Sequence, residues 1–331
     1  MRVVHAPSEI AGQMGILCQG LRNHGINAHG YNWFNSYLRY NSKVQNIDAF
    51  ELIRMVDALV KHADLFHFHN GNSLFTGNTD VPMLASAGKR MIMHHWGSDV
   101  RTVNLSSRLN RYRLPPSYMS DEQIHQRLKL LSKHIHDAIV QDYELYPHVA
   151  DYYKRVHVLP LACRTGDFAP VYPPVKPERI RIVHAPTNRK FKGTAYVEAV
   201  VRKLSGKYPV ELVLVENKSH EEAVKLYRKA DLIIDQIFCG TYGMFAVEAM
   251  ALGKPVLCYV RPDVAAKKPS LPIINANRDT LAAVLRDILR APERLHEIGK
   301  ASRSFAERYH DTKVVIPKLI RIYQKALGVS G

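Results

Sequence analysis

Apolar residues recur along this chain with two alternating periods, and that alternation sets out its architecture. Runs of strand length are separated by stretches with apolar residues every three or four positions. The runs are RVVHA from Arg2, INAHGY from Ile26, DLFHFH from Asp64, KRMIMH from Lys89, DAIVQ from Asp137 and VHVLP ending at Pro160. Residues 13–24 show the helical period most plainly, with Met14, Leu17, Cys18 and Leu21 on one face and Gly25 as a stop. Residues 48–61 and 121–134 read as further helices. Strands that alternate with helices predict parallel βαβ units, so the expected fold class is α/β with doubly wound sheets.

The pattern breaks once. Residues 164–178, RTGDFAPVYPPVKPE, hold four of the chain's 18 prolines and no apolar period, which marks a linker. The alternation restarts with IRIVHAP, an echo of the opening RVVHAP. The shared V-H-A-P at 4–7 and 183–186 predicts two similarly built halves. We therefore expect a first domain over 1–165, a linker over 166–178 and a second domain over 179–310. Residues 311–331 read as a basic terminal helix.

The second half is organised around 238–259, FCGTYGMFAVEAMALGKPVLCY. Residues 231–235 (DLIID) form a strand, Gly240 and Gly243 break the chain, and helix-forming residues run from Met244 to Leu252. Gly253, Lys254 and Pro255 stop that helix before the buried run VLCYV. A helix that opens just beyond the carboxyl end of a strand gathers unpaired N–H groups and the positive end of its dipole, which suits a phosphate. Glu248, a little over one turn inside, is placed to accept hydrogen bonds from a ribose diol. An ordinary β-α-β crossover has the same pattern, so these residues alone leave both readings open.

Earlier in the same half, Arg189, Lys190 and Lys192 fall in the turn before Thr194 and a helix over 195–204. Cations at a helix N-terminus oppose the dipole, and a bound diphosphate would remove the conflict. In the first half, Gly12 opens the first helix without a G-x-G-x-x-G run, which excludes the usual dinucleotide fingerprint. His67 and His69 lie two apart on one strand face. His69, His95 and Asp99 fall near strand ends, where open α/β sheets bind ligands. Two histidines at this spacing can bind zinc, but no third ligand follows at metal spacing, so no metal is expected.

Composition narrows the partners. Lys+Arg 46 against Asp+Glu 30 gives +16 and predicts an acidic partner. Residues 1–165 carry 18 basic and 13 acidic side chains, and residues 166–331 carry 28 and 17. Arg101, Arg108, Arg111 and Arg113 interleave with Leu105, Leu109 and Tyr112, a stretch that can lie on an anionic surface or simply face water. Cys18, Cys163, Cys239 and Cys258 form no C-x-x-C pair, which fits a reduced compartment. Met1 leads directly into a strand-like run, so no secretory signal is expected. No run approaches the roughly 20 apolar residues of a membrane span. A cytoplasmic location follows, with at most peripheral contact at the inner membrane face.

With these pieces in place the chain resembles retaining glycosyltransferases of family 4, which have the GT-B fold, over nearly its whole length. The resemblance rests on HAPTNRKFKG, on GTYGMFAVEAMALGKPVLCY and on the joining segment VLPLACRTGDFAP, with support from DLFHFH and HHWGSD. It implies two Rossmann-like domains facing across a cleft and a last helix that crosses back to the first. It also implies that Arg189 and Lys192 grip the diphosphate of a nucleotide-sugar donor, that Glu248 binds ribose, and that Gly12 approaches phosphate or sugar. His69 would lie by the transferred sugar, and His95 and Asp99 would face the acceptor or sugar. The family commonly carries a second glutamate eight positions before the first, and here that position is Gly240. Backbone N–H groups from Tyr242 through Gly243 to Met244 are expected to take over its contact.

The expected activity is transfer of a hexosyl group from a nucleotide-diphosphate donor, UDP by default, to a hydroxyl acceptor with retention and without a metal or other cofactor. The acceptor stays open among lipid-linked, cell-envelope, protein and small-molecule hydroxyls, with the basic excess favouring an anionic or lipid-linked one. A nucleotide-sugar epimerase of the same fold is the alternative, and product analysis with donor alone separates the two. Nucleic acid is the remaining candidate partner, disfavoured because no aromatics cluster on a basic strand face.

Overall fold

The computed structural model describes residues 1–34, 36, 38–40 and 43–329, so the last two positions of the expected C-terminal segment lie outside the described residues. The chain begins with β1 (Arg2–Ala6), α1 (Gln13–Asn23), β2 (Asn27–Asn32), β3 (Gln45–Asn46), α2 (Ala49–His62), β4 (Leu65–His69), α3 (Val81–Ser86) and β5 (Arg90–His95). Next come α4 (Val103–Leu109), α5 (Asp121–His134), β6 (Asp137–Val140), α6 (Tyr146–Val149) and β7 (Arg155–Val158). The second half holds β8 (Ile180–His184), α7 (Arg189–Lys192), α8 (Thr194–Ser205), β9 (Val210–Leu214), α9 (His220–Tyr227), β10 (Leu232–Ile234), α10 (Met244–Ala251) and β11 (Val256–Cys258). It closes with α11 (Pro262–Ala265), β12 (Ile274–Asn275), α12 (Leu281–Arg290), α13 (Arg294–Tyr309) and α14 (Thr312–Leu327). Several helix starts are fixed by their own side chains. Asp48, Ser120 and Ser219 each cap a helix and exchange bonds with Glu51, Gln123 and Glu222 three residues on.

The chain divides into two compact units. The first comprises Met1–Ser106, Pro116–Ala162 and the chain from Thr312, and the second comprises Ser107–Pro115 and Cys163–Asp311. Two segments differ from the boundaries read off the sequence. Residues 107–115 belong to the second unit because Asn110 donates to Phe238 O and Cys239 O, while Arg111 and the Tyr112 hydroxyl both reach Asp279. The proline-rich segment is not a free linker. Val171 N donates to Leu252 O, Arg228 donates to Ala169 O, and His296 bonds Pro173 O.

The first unit holds a seven-stranded sheet in the order β3-β2-β1-β4-β5-β6-β7, parallel throughout. The order reverses between β1 and β4, which opens a crevice at their carboxyl ends. One face packs against α1 and α14 through Val3, Leu65 and Ile92 from the strands, Met14, Leu17 and Leu21 from α1, and Val315, Ile316 and Leu319 from α14. Gly20 permits this approach, since a Cβ there would come 2.4 Å from the Ile316 side chain. The second unit holds a five-stranded parallel sheet, β12-β11-β10-β8-β9, with its reversal between β8 and β10.

The histidines of the first unit form one buried chain that ties α14 to the sheet. Tyr323 Oη lies 2.6 Å from His67 Nδ1 and 3.0 Å from His5 Nε2. His5 Nδ1 meets His69 Nε2 at 3.0 Å, and His67 Nε2 meets His94 Nδ1 at 3.2 Å. Every link is satisfied with one proton on each imidazole, and it is burial, more than the bond pattern, that keeps the four rings neutral. Burial drives His5 down to about 3 and holds His67, His69 and His94 well below the free value, with neighbouring cations and imidazoles adding to the effect.

A pH dependence follows from that neutrality. Unfolded imidazoles titrate near ~6.5, so above that pH both states are neutral and the full stability is present. Below it the unfolded chain takes up protons that the folded chain refuses, and stability falls as pH drops toward the folded values. Four such groups give a limiting slope of about 5 kcal/mol per pH unit. Urea midpoints should change little above pH 7 and fall steeply between pH ~6 and ~4.5, before most carboxylates protonate. A flat profile across that window would show that the rings charge freely in the native state.

Candidate functional site

In the second unit the residues singled out by spacing gather at the β8/β10 reversal. His184, the last residue of β8, bonds Ile234 O through Nδ1 at 2.8 Å and the Thr194 hydroxyl through Nε2 at 2.9 Å. It thereby ties the start of α8 to the strand end. Asn188 caps α7 by accepting from Phe191 N, and Gly193 ends it at φ +79, where a Cβ would come 2.5 Å from Ile237. This tight turn directs Lys192 inward. Its ammonium meets Asp235 Oδ1 at 2.5 Å and lies 5.3 Å from the centre of the Phe245 ring.

Asp235, the first residue beyond β10, is fully buried, and its second oxygen accepts the Gly243 N–H at 2.9 Å. Gly243 is the N-cap of α10. One carboxylate therefore joins the cation from the 189–192 turn to the amino end of the helix bearing Glu248. Met244 begins that helix, and every residue of α10 is buried. Glu248 points its Oε1 at His220 Nε2, 2.7 Å away on the first residue of α9.

Arg189 turns elsewhere. Its guanidinium bonds Glu198 at 2.8 Å and Glu216 at 2.7 Å on the surface, and those carboxylates favour its charged form. The cation–dipole conflict read from the sequence is thus answered within the protein, by Asp235 for Lys192 and by two glutamates for Arg189. Lys190 has no carboxylate partner among the described residues.

Tyr242 is buried rather than presented. Its hydroxyl bonds His310 Nε2 at 2.9 Å, and Lys268 Nζ stacks 4.2 Å from the centre of its ring. Gly240 has φ +90, and a Cβ there would lie 2.6 Å from Arg261 Cγ. The position eight residues before Glu248 is therefore occupied by the aliphatic stem of Arg261, whose guanidinium is bound by Asp263.

The first unit places its candidates differently. Gly12 is the N-cap of α1 at φ +74, with Tyr40 against it, so that a Cβ would lie 2.8 Å from the Tyr40 ring. The first-turn amides of Met14 and Gly15 each donate at 2.9 Å to the carboxylate of Glu9, so the anion position at this helix end is taken by the chain's own side chain. His95 and Asp99 form a closed buried set. His95 Nδ1 bonds Asp99 at 2.7 Å and Nε2 meets the Tyr153 hydroxyl at 2.9 Å, while Asp99 also accepts from Trp96 N and Gly97 N. Burial opposes ionisation of Asp99, yet His95 and the Gly97 amide hold it below the ordinary carboxylate range.

His69 is fully enclosed at the β1/β4 reversal and stacks on His67, His94 and Trp96. Its Nδ1, His94 Nε2 and Trp96 Nε1 have no hydrogen-bond partner among the described residues. The sequence lacked a third histidine at metal spacing; the fold supplies one from β1, since donor atoms of His5, His67 and His69 lie within 4.8 Å of one another. That trio does not converge on an ion. The His67 and His69 rings are parallel to within 7° at 4.5 Å, so their in-plane lone pairs run side by side.

No family model matches the chain. Among curated proteins, D-inositol 3-phosphate glycosyltransferase of Segniliparus rotundus is 33% identical over 119 residues. That stretch spans 32% of this chain and only 24% of the relative, about a quarter of its length. Two solved structures match almost end to end. Anabaena HepE in complex with UDP has a TM-score of 0.65 at 10% identity, over 98% of this chain and 100% of that one. Trehalose-6-phosphate synthase, from a study of glycosyl transfer with retention, has a TM-score of 0.64 at 12% identity over 98% of each chain. These likenesses are of fold, and the fold is that of the GT-B glycosyltransferases. Among the described residues no helix is long and apolar enough to cross a membrane.

The corner at Gly240 makes a direct prediction. Gly240→Ala must strain a left-handed backbone and displace a buried arginine stem, at an expected cost of ~2–3 kcal/mol. Gly206→Ala, at φ −71 with its nearest neighbour 3.9 Å away, should be neutral or slightly stabilising. Urea unfolding of both variants checks the contrast, and equal stability would show that the corner is not closed.

Proposed function

We propose that this chain is a retaining glycosyltransferase of the family 4 type, moving a sugar from a nucleoside diphosphate, UDP by default, to a hydroxyl acceptor. The observation that carries this reading is the meeting of Lys192 and the amino end of α10 on Asp235, at the strand-order reversal of the second sheet. Open α/β sheets bind phosphate-bearing ligands at such reversals, with the pyrophosphate at a helix N-terminus. Support comes from the fold, shared over its whole length with a UDP complex and with an enzyme studied for retention. The aligned third of the chain adds a curated glycosyltransferase.

In this reading the bond from the anomeric carbon to the leaving phosphate oxygen breaks, and the acceptor oxygen bonds to the same face. The acceptor proton passes to the departing diphosphate. Lys192 and the first-turn amides of α10 stabilise the negative charge gathering on that diphosphate, without a metal. Asp235 positions the Lys192 ammonium and, through Gly243, the amino end of α10 beforehand. Glu248 exchanges His220 for the ribose diol, and Arg189 releases one of its glutamates to reach phosphate. The basic excess favours an anionic or lipid-linked acceptor.

Arg189→Ala is the clean test, because its partners are solvent-facing and the fold does not depend on it. Turnover of the donor should fall about 10²-fold or more, the loss of one cation from a leaving anion. Glu248→Gln should weaken donor binding about tenfold. A thermal-shift panel of nucleotide-diphosphate sugars identifies the donor first, since a ligand at 100 times its Kd adds ~2.7 kcal/mol. If both variants turn over the donor as the wild type does, the assignment is wrong.

A further inference from the structure

At the amino edge of the first unit's sheet lies a cavity of about 310 Å³, on the opposite edge from His69, His95 and Asp99. Arg90, Asp137 and Arg155 are the first residues of β5, β6 and β7, and all three line it. Lys89 and His136 border the same strand starts, and Lys133 enters from the last turn of α5. The one carboxylate is already saturated. Asp137 takes Arg155 at 2.6 and 2.7 Å and His157 at 2.9 Å, which brings it down to about 2.

Lys89, Arg90 and Lys133 have no carboxylate partner among the described residues; Lys89 donates only to Ala63 O. Three cationic residues without a carboxylate partner therefore line one concavity, the Lys89 ammonium held at Ala63 O. On a convex surface water would screen such charges, whereas a low-dielectric concavity focuses their field. The carbonyl end of α5 contributes about half a negative charge nearby, too little to cancel them.

We propose that this cavity is a binding site for a phosphate-bearing ligand, a monoester or a diphosphate, separate from the proposed sugar-nucleotide site. Its size is at the small end of ligand pockets, roughly 300–1,000 Å³, and admits a phosphorylated headgroup or small metabolite but not a dinucleotide. Lys89 and Lys133 would act as point charges and Arg90 as a two-pronged donor. The local potential leaves a trace on His136, which is held below its free value by burial and by Lys154 and Arg155. The inference does not rest on glycosyl transfer, since every group involved belongs to the first unit.

Ring resonances of His136 in histidine-labelled full-length protein provide a local readout. Titration with pyrophosphate, and separately with inorganic phosphate, should shift them saturably. In the double variant Arg90→Ala, Lys133→Ala the apparent Kd should weaken about tenfold or more, the equivalent of ~1.4 kcal/mol. Lys203→Ala, Lys229→Ala removes the same charge from the second unit and should leave the titration unchanged. A second arm sediments the protein with phosphatidic acid vesicles and with neutral phosphatidylcholine vesicles. Pelleting on the acidic vesicles alone, lost in the Arg90, Lys133 variant, would show that a lipid presents the phosphate; saturation by the free anions without pelleting would show a soluble source. The proposal is overturned if His136 stays unmoved and no acidic vesicle binds, or if the control variant loses binding as much as the site variant.

Discussion

Much of the second unit depends on one fully buried carboxylate. Asp235 lies between a lysine and a helix-end amide and accepts from both. A buried ion pair is a poor source of net stability, since the desolvation of two charges offsets most of their attraction. Removing one partner is another matter, costing ~3–5 kcal/mol because the survivor is left charged in a dry interior. The pair therefore constrains geometry more than it stabilises the fold. It fixes where the 189–192 turn meets α10, and it keeps two hydrogen-bond donors directed at one point.

The first unit answers a similar problem with neutral groups. There the helix end nearest the first strand is closed by Glu9, and the strand-order reversal is filled by imidazoles that share protons with Tyr323. Such a chain has no charge to desolvate while its rings are neutral, and a proton added to any ring would put an unpaired charge in a dry interior. The echo of V-H-A-P at the start of both halves marks this contrast. His5 passes its bonds to another imidazole and a phenol, whereas His184 at the equivalent strand end bonds a backbone carbonyl and a threonine and is brought down by burial to about 4.

The strands and most helices were legible because period and punctuation coincide: Gly25, Gly243 and Gly253 stand where the elements change. Lys192 and Gly243 were legible as neighbours of a strand end. Their common partner was not, because Asp235 reads as the last residue of a strand, and only the strand's end at Ile234 frees it to turn inward. A charged residue closing an apolar run just before a glycine turn was the available signal. His220 and Glu248 are 28 residues apart, and no spacing rule joins them. The third and fourth histidines were invisible for a topological reason. His5 and His94 come from strands that neighbour β4 on either side, and strand order is not written in the period of any single strand.

At Gly240 the corner is closed by both backbone and neighbour. The backbone has φ +90, a region closed to most side chains, and the Arg261 stem lies where a side chain would extend. With Asp263 holding that guanidinium and Asn110 close beside it, the corner is packed as a unit. In the proposed reading a nucleotide-sugar donor bound there would meet the Lys192 ammonium, held by Asp235, and no carboxylate would extend from position 240 itself. Recognition of the sugar would then rest on the shape of the turn, a constraint that a single side-chain replacement cannot restore.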